Sequence, residues 1–207
     1  MSISLNHLRH KNFAIYGLGV TGRSVINYFH KHGFENYIGW DDDNDVFRKS
    51  IGPDYKIMKR NFLKVVNFVD YIIISPGIKI NKAKLKKILL KNKKKIITDL
   101  DLFYLINQDI KSIVVTGTNG KSTTCKVIEH VLKKNNINVG LGGNIGSPVL
   151  KLDLKKNSFA VIEASSFQLA YSKFIKPYYA IILNITKDHL DWHGSMTSYV
   201  KSKLKIF

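Results

Sequence analysis

Short apolar runs alternate along this 207-residue chain with stretches in which apolar residues recur every three or four positions. Runs of four to six residues bounded by glycine or polar breaks read as buried strands, and the longer period reads as amphipathic helix. The pattern predicts strands over 13–16, 37–40, 71–74, 95–98, 112–116, 159–163 and 179–183, and helices over 24–32, 82–90, 121–134 and 195–207. Such alternation calls for an α/β fold, with parallel sheets covered by helices. A polar break at 107–111 separates two halves, each opening with a strand that runs into a glycine loop. The expected domains are therefore 1–109 and 110–207.

A hydrophobic content of 44% suffices for a core, and the longest apolar runs are strand-sized, so a soluble, cytoplasmic protein is expected. Cys125 is the only cysteine, which excludes an internal disulfide or a cysteine metal cluster within one chain. The formal charge of +18 raises the question of a nucleic-acid partner. The lysines are spread along the chain, however, and the densest run, 82–95, carries Leu85, Ile88 and Leu89 at helical spacing. That is the pattern of a helix with a solvated basic face. Neither a nucleic-acid nor a membrane partner is expected.

The most informative stretch is Val114-Val115-Thr116-Gly117-Thr118-Asn119-Gly120-Lys121-Ser122-Thr123, an apolar strand entering a glycine loop that opens a helix. Loop amides there point at phosphates, Lys121 brings a mobile positive charge, and the Ser122 hydroxyl is placed for magnesium. The usual glycine five residues before the Gly-Lys pair is Val115 here, so this is a shorter variant. Upstream, Gly17-Leu18-Gly19-Val20-Thr21-Gly22 is a complete G-x-G-x-x-G, with Asp41 nineteen residues beyond Gly22. By spacing it is a dinucleotide-type start that NAD, FAD or a UDP-sugar would satisfy. Ser75-Pro76-Gly77-Ile78 is a rigid turn after another strand, equally a ligand turn or a mere terminator. Glu163 ends a strand in the sheet of the phosphate loop and can reach nucleotide-bound magnesium. Asn184 to Asp191 puts His189 between two acids beyond a further strand. His189 and His193 also have the spacing of a zinc helix, but Leu190 stands where H-E-x-x-H needs glutamate, and His193 reads as exposed.

Together these residues resemble the Mur ligases of bacterial cell-wall synthesis. The matching blocks are 17–24, 75–78, 99–103, 116–124, 142–148, 163–169 and 184–207. The phosphate loop alone would fit any Mur ligase or a folylpolyglutamate synthase. Glu-Ala-Ser-Ser-Phe-Gln-Leu at 163–169, with the first glycine turn and Ser-Pro-Gly-Ile, points to the D-glutamate-adding branch. The resemblance implies a Rossmann-like domain holding the UDP part of the substrate through Val20, Thr21, Asp41, Asp42 and Gly77, followed by an incomplete P-loop central domain. It implies that residues 117–123 bind ATP, that Ser122 and Glu163 serve one magnesium and His189 a second, and that Asn144 and Ser165 contact the muramoyl substrate. Lys203, a surface charge by pattern alone, would carry a CO₂-derived carbamate and ligate metal, joining Lys121 and His189 in catalysis. The implied reaction is ATP-dependent addition of D-glutamate to UDP-N-acetylmuramoyl-L-alanine through an acyl phosphate, by a monomer. A full ligase continues beyond the position of Phe207, so the chain alone is expected to be inactive. A non-catalytic UDP-binding remnant is the alternative.

Overall fold

The computed structural model describes residues 5–46 and 59–207. The chain divides into two compact units, Met1–Asp99 and Leu100–Phe207. The division falls ahead of the expected boundary near 109 because the helix Asp99–Ile106 joins the second unit. There the Asp101 carboxylate accepts from the backbone N–H groups of Lys173 and Phe174, each at 2.7 Å, and the Tyr104 and Ser112 hydroxyls are 2.6 Å apart.

In the first unit, β1 (Phe13–Tyr16), β2 (Tyr37–Trp40), β3 (Tyr71–Ile74) and β4 (Ile96–Ile97) form a parallel sheet in the order β2-β1-β3-β4. β1 is buried along its whole length, with Phe13 opposite both Tyr37 and Tyr71. The strand order reverses between β1 and β3, so the turns after these two strands flank the crevice where open α/β sheets take ligands. At the other end of the sheet Phe13, Phe29, Phe34 and Tyr37 pack together, with ring centroids 4.6–6.0 Å apart. Expected and observed strands coincide for β1, β2 and β3. The helix expected at 24–32 starts four residues earlier, at Val20, because Gly19 is its cap. The one expected at 82–90 is a 3-10 turn, Ile80–Lys82, and a helix, Lys86–Lys91, separated by extended Ala83.

The second unit holds β5 (Lys111–Thr116), β6 (Val139–Gly143), β7 (Phe159–Glu163) and β8 (Tyr179–Ile182), again all parallel, in the order β6-β7-β5-β8. The helix Lys121–Lys134 lays Cys125, Ile128 and Leu132 on Ile113, Val115 and Val161, the periodicity read from the sequence. β6 went unanticipated because its Val-Gly-Leu-Gly-Gly run looks like a loop. The neighbours explain it: a Cβ on Gly142 would lie 2.5 Å from the Ser147 carbonyl oxygen, and one on Gly143 2.3 Å from that of Glu163. Among the described residues no helix is long and apolar enough to cross a membrane.

The three glycines of the first turn have different tasks. A Cβ on Gly22 would sit 1.9 Å from the Gly17 carbonyl oxygen, whereas one on Gly19 meets nothing within 4 Å. Gly22 is thus required by packing, and Gly19 leaves room beside the crevice. Gly22→Ala is expected to lower stability by about 3 kcal/mol, and Gly19→Ala by less than about 1 kcal/mol, in urea unfolding.

Candidate functional site

Each unit carries its own site, built at the carboxyl ends of its strands. In the first, Gly17 turns with φ of 96° as the chain leaves β1. Ser75 donates its hydroxyl to the Gly17 carbonyl at 2.8 Å, so the turn after β3 buttresses the glycine turn. Asp41 accepts from the Leu18 N–H at 2.6 Å and from the Asp43 N–H at 2.8 Å, fixing the loop from the end of β2. Asp42 receives the Tyr16 hydroxyl at 2.6 Å, the Trp40 indole N–H at 2.9 Å and the Lys84 N–H at 2.9 Å. Burial, reinforced by that hydrogen bond to Asp42, pushes the Tyr16 phenol far above its ordinary range. Asp41, singled out by spacing, therefore shapes the glycine turn, while Asp42, named through the resemblance, ties the end of β1 to the segment at Lys84. Val20 is 66% exposed at the mouth, Thr21 is half-buried beside it, and Gly77 stands in open space on the facing turn.

In the second unit, β5 leads into a loop that ends at Gly120, whose φ of 84° caps the helix from Lys121. Lys121 folds over the loop, donating to the carbonyls of Gly117 at 3.0 Å and Thr118 at 2.7 Å. Ser122 donates its hydroxyl to Glu163 Oε2 at 2.7 Å, and the Asn144 amide donates to Oε1 at 2.9 Å. β7 delivers Glu163 to the loop because it pairs directly with β5, Val115 facing Glu163. Thr123 is exposed on the first helical turn. Ser165 caps the helix Ser166–Tyr171, in a capping box with Gln168.

Sequence reasoning missed the clamp on the glycine loop at 117–120. Asn184 accepts at Oδ1 from the N–H groups of Thr118 (3.1 Å) and Asn119 (2.9 Å) and returns its own amide to the Asn119 carbonyl at 3.0 Å. Thr118 and Tyr199 share a hydroxyl contact of 3.0 Å. Tyr199 belongs to an aromatic group with Phe167, His189, Trp192 and His193. His189 has a left-handed backbone (φ 50°), takes its Asp188 contact at 3.3 Å and lies 4.7 Å from the Phe167 ring. His193 is not the exposed residue anticipated: it is half-buried, stacked on Phe167 at 5.7 Å, with Nε2 2.9 Å from the Ser166 hydroxyl. Aromatic and hydroxyl residues at these spacings carry no sequence signal before the fold joins them.

A family model described as Mur ligase MurD-like N-terminal domain matches residues 11–98, and one described as Mur ligase middle domain matches residues 115–207. The chain belongs to the Mur ligase family. It is 38% identical to a UDP-N-acetylmuramoylalanine--D-glutamate ligase of Wolbachia pipientis wMel over 99% of this chain and 40% of that protein. It is 40% identical to the protein of that name from Buchnera aphidicola subsp. Schizaphis graminum over 95% of this chain and 45% of that protein. The chain thus spans less than half the length of these relatives. A UDP-N-acetylmuramate:L-alanyl-gamma-D-glutamyl-meso-diaminopimelate ligase from Neisseria meningitides shares the fold, with a TM-score of 0.55 at 18% identity over 95% of this chain and 67% of that one.

Whether magnesium suits the second site can be judged from its donors. Among the described residues no three His, Cys, Asp or Glu side chains gather as a metal cage. The Ser122 hydroxyl and Glu163 carboxylate are hard oxygen donors, few in number, beside the glycine loop at 117–120. That fits an ion that keeps waters and takes further ligands from a nucleotide. Lys203 is the largest departure from a reading by pattern, being 1% exposed instead of a surface charge. It donates to the Gly117 carbonyl at 2.7 Å and lies 4.6 Å from the centre of the Tyr199 ring. Burial, with the charge of Lys121 added, pushes its pKa down to about 8, against a smaller opposing effect of Asp188. The folded chain therefore releases this proton before the unfolded chain does, and stability rises as pH climbs from about 8 towards the ordinary lysine value of 10.5. Lys203→Met should lack this increment, so wild type should gain on the order of 1 kcal/mol over the variant between about pH 7.5 and pH 10 in urea unfolding.

Proposed function

We propose that these residues supply the UDP-substrate and ATP-phosphate sites of an ATP-dependent ligase that adds D-glutamate to UDP-N-acetylmuramoyl-L-alanine in peptidoglycan precursor synthesis. The observation that carries the reading is the Glu163 carboxylate held between Ser122 and Asn144 at the phosphate loop. The D-glutamate-adding names of the relatives support the choice of branch. We read the protein as a cytoplasmic monomer.

In this reading residues 17–22 and 75–78 take the uridine diphosphate, with Val20, Thr21, Asp41, Asp42 and Gly77 against it. Residues 117–123 take the ATP phosphates. The L-alanyl carboxylate attacks the γ-phosphorus, ADP departs, and the amine of D-glutamate then displaces phosphate from the acyl phosphate with loss of a proton. Loop amides and Lys121 offset the charge that develops on the transferring group by fixed geometry. Ser122 and Glu163 would hold one magnesium and His189 another; bound there, the ions supply positive charge to phosphate oxygens. Asn144 and Ser165 hold the muramoyl part. The depressed pKa of Lys203 makes its neutral amine accessible near neutral pH, which suits attack on CO₂ to give a carbamate anion and a proton.

Calorimetry on the 207-residue chain tests the division of labour. Lys121→Ala should weaken Mg·ATP binding by about 10- to 100-fold and leave UDP-N-acetylmuramoyl-L-alanine binding unchanged. Equal loss of both would sink the assignment. Single-turnover release of phosphate in the presence of both substrates separates a ligase from a UDP-binding remnant. Carbon-13 NMR with labelled bicarbonate should give a carbamate resonance that Lys203→Arg removes.

A further inference from the structure

Although lysines occur throughout the chain, one stretch of the first unit is enriched in them beyond the run at 82–95. Residues 55–98 contain 13 Lys and Arg and a single acid, Asp70. Asp70 is itself engaged, accepting from the Asn12 N–H at 2.8 Å and pairing with Lys11 at 3.5 Å. Two helices of this region, Lys59–Val65 and Lys86–Lys91, return the chain to the starting ends of β3 and β4. Their last turns and the segments that follow meet there. Asn92 donates to the Asn67 side chain at 2.9 Å, and Lys95 to the Asn67 carbonyl at 2.7 Å. Around this junction Phe68 is 82% exposed, Leu90 45%, Leu63 42% and Val65 38%, among exposed Lys64, Lys91, Lys93 and Lys94. Phe68, Val65 and Val69 also line one wall of a cleft of about 440 Å³ that reaches Phe13, Tyr37 and Ile38, with Glu35 its one acidic lining residue.

We propose that this end of the first unit, opposite its glycine turns, is a docking face for an anionic phospholipid surface. Lysines at helix carboxyl ends are stabilised by the helix dipole, which accounts for the charges. It does not account for a protruding phenyl ring with three aliphatic side chains among them. Apolar tips ringed by lysine are what an interfacial contact uses, the tips entering the headgroup boundary and the ammonium groups meeting lipid phosphates. Single-stranded nucleic acid fits less well, since it is gripped by aromatic platforms along a groove, and Leu63, Val65 and Leu90 offer no stacking plane. Among the described residues no helix is long and apolar enough to cross a membrane, but a peripheral face needs no span, so this contact departs from the expectation of no membrane partner. Because the face lies at the strand starts, docking leaves the crevice at the strand ends open.

Co-sedimentation of the 207-residue chain with vesicles tests this. It should bind vesicles of phosphatidylglycerol and phosphatidylcholine in equal parts, not pure phosphatidylcholine, and should be released by high salt. Phe68→Ser and the double variant Lys64→Glu/Lys91→Glu should each lower the partition coefficient by about tenfold. Leu90→Ser, on a separate element, is the second apolar variant and should weaken binding in the same direction; circular dichroism and melting confirm that each variant is folded. Absence of binding to the anionic vesicles overturns the proposal, as does equal binding to pure phosphatidylcholine. So do an affinity untouched by both apolar variants and a stronger capture by homopolymeric RNA than by vesicles.

Discussion

β1 and β5 each have a parallel partner on both sides; β1 is buried throughout and β5 at every residue but Lys111, so neither interior offers a solvent-facing surface on which a ligand site could form. Chemistry can gather only where such a strand stops, and both stop in glycine-bearing turns. The rest of each unit is arranged around that stop. In the first, Ser75 and Asp41 come from the two neighbouring strands to hold the turn at Gly17 and Leu18. In the second, Glu163 and Asn184 arrive from the flanking strands to do the same for the loop at 117–122. Loss of the strand register would misplace every one of these groups at once.

The Gly117 carbonyl illustrates how much charge the second loop concentrates. It accepts from both Lys121 and Lys203, so two ammonium groups converge on one oxygen. Their mutual repulsion is part of why Lys203 gives up its proton readily, burial being the larger cause. Tyr199 lies under Lys203 and touches Thr118, and Lys203 reaches the Gly117 carbonyl, so the helix Met196–Lys203 is tied to the glycine loop at two points. A shift of that helix is therefore felt by the loop, and a change of charge on the loop is felt by the helix.

Strands β1, β2, β3 and β7 and the helix Lys121–Lys134 were legible to the residue, because each is bounded by glycine or polar breaks and has one clear period. β6 and the helix Asp99–Ile106 were not. The first hides behind glycines that exist to let the chain beyond it pass close by; the second is buried on nearly every side, so it shows no stripe. The glycine loop at 117–120 and the position of Glu163 were legible because each follows or closes a strand. Asn184, Tyr199 and the partners of His193 were not, since an amide or an aromatic ring acquires a role only from what the fold sets beside it. Lys203 is the sharpest case: a lysine in a polar helix reads as solvated until the loop at Gly117 and the Tyr199 ring meet it.

Cys125 packs on the buried face of the helix Lys121–Lys134, fully buried, and its thiol is pushed up to about 12 by burial and by the charge of Glu163. At physiological pH it carries almost no thiolate, so it is a poor target for oxidants and alkylating reagents. Within these 207 residues the one thiol is therefore slow to react, and a second cysteine introduced at an exposed address would be labelled ahead of it. Fluorophores or spin probes could then be attached at one chosen place, with the wild-type sulfur left where it is.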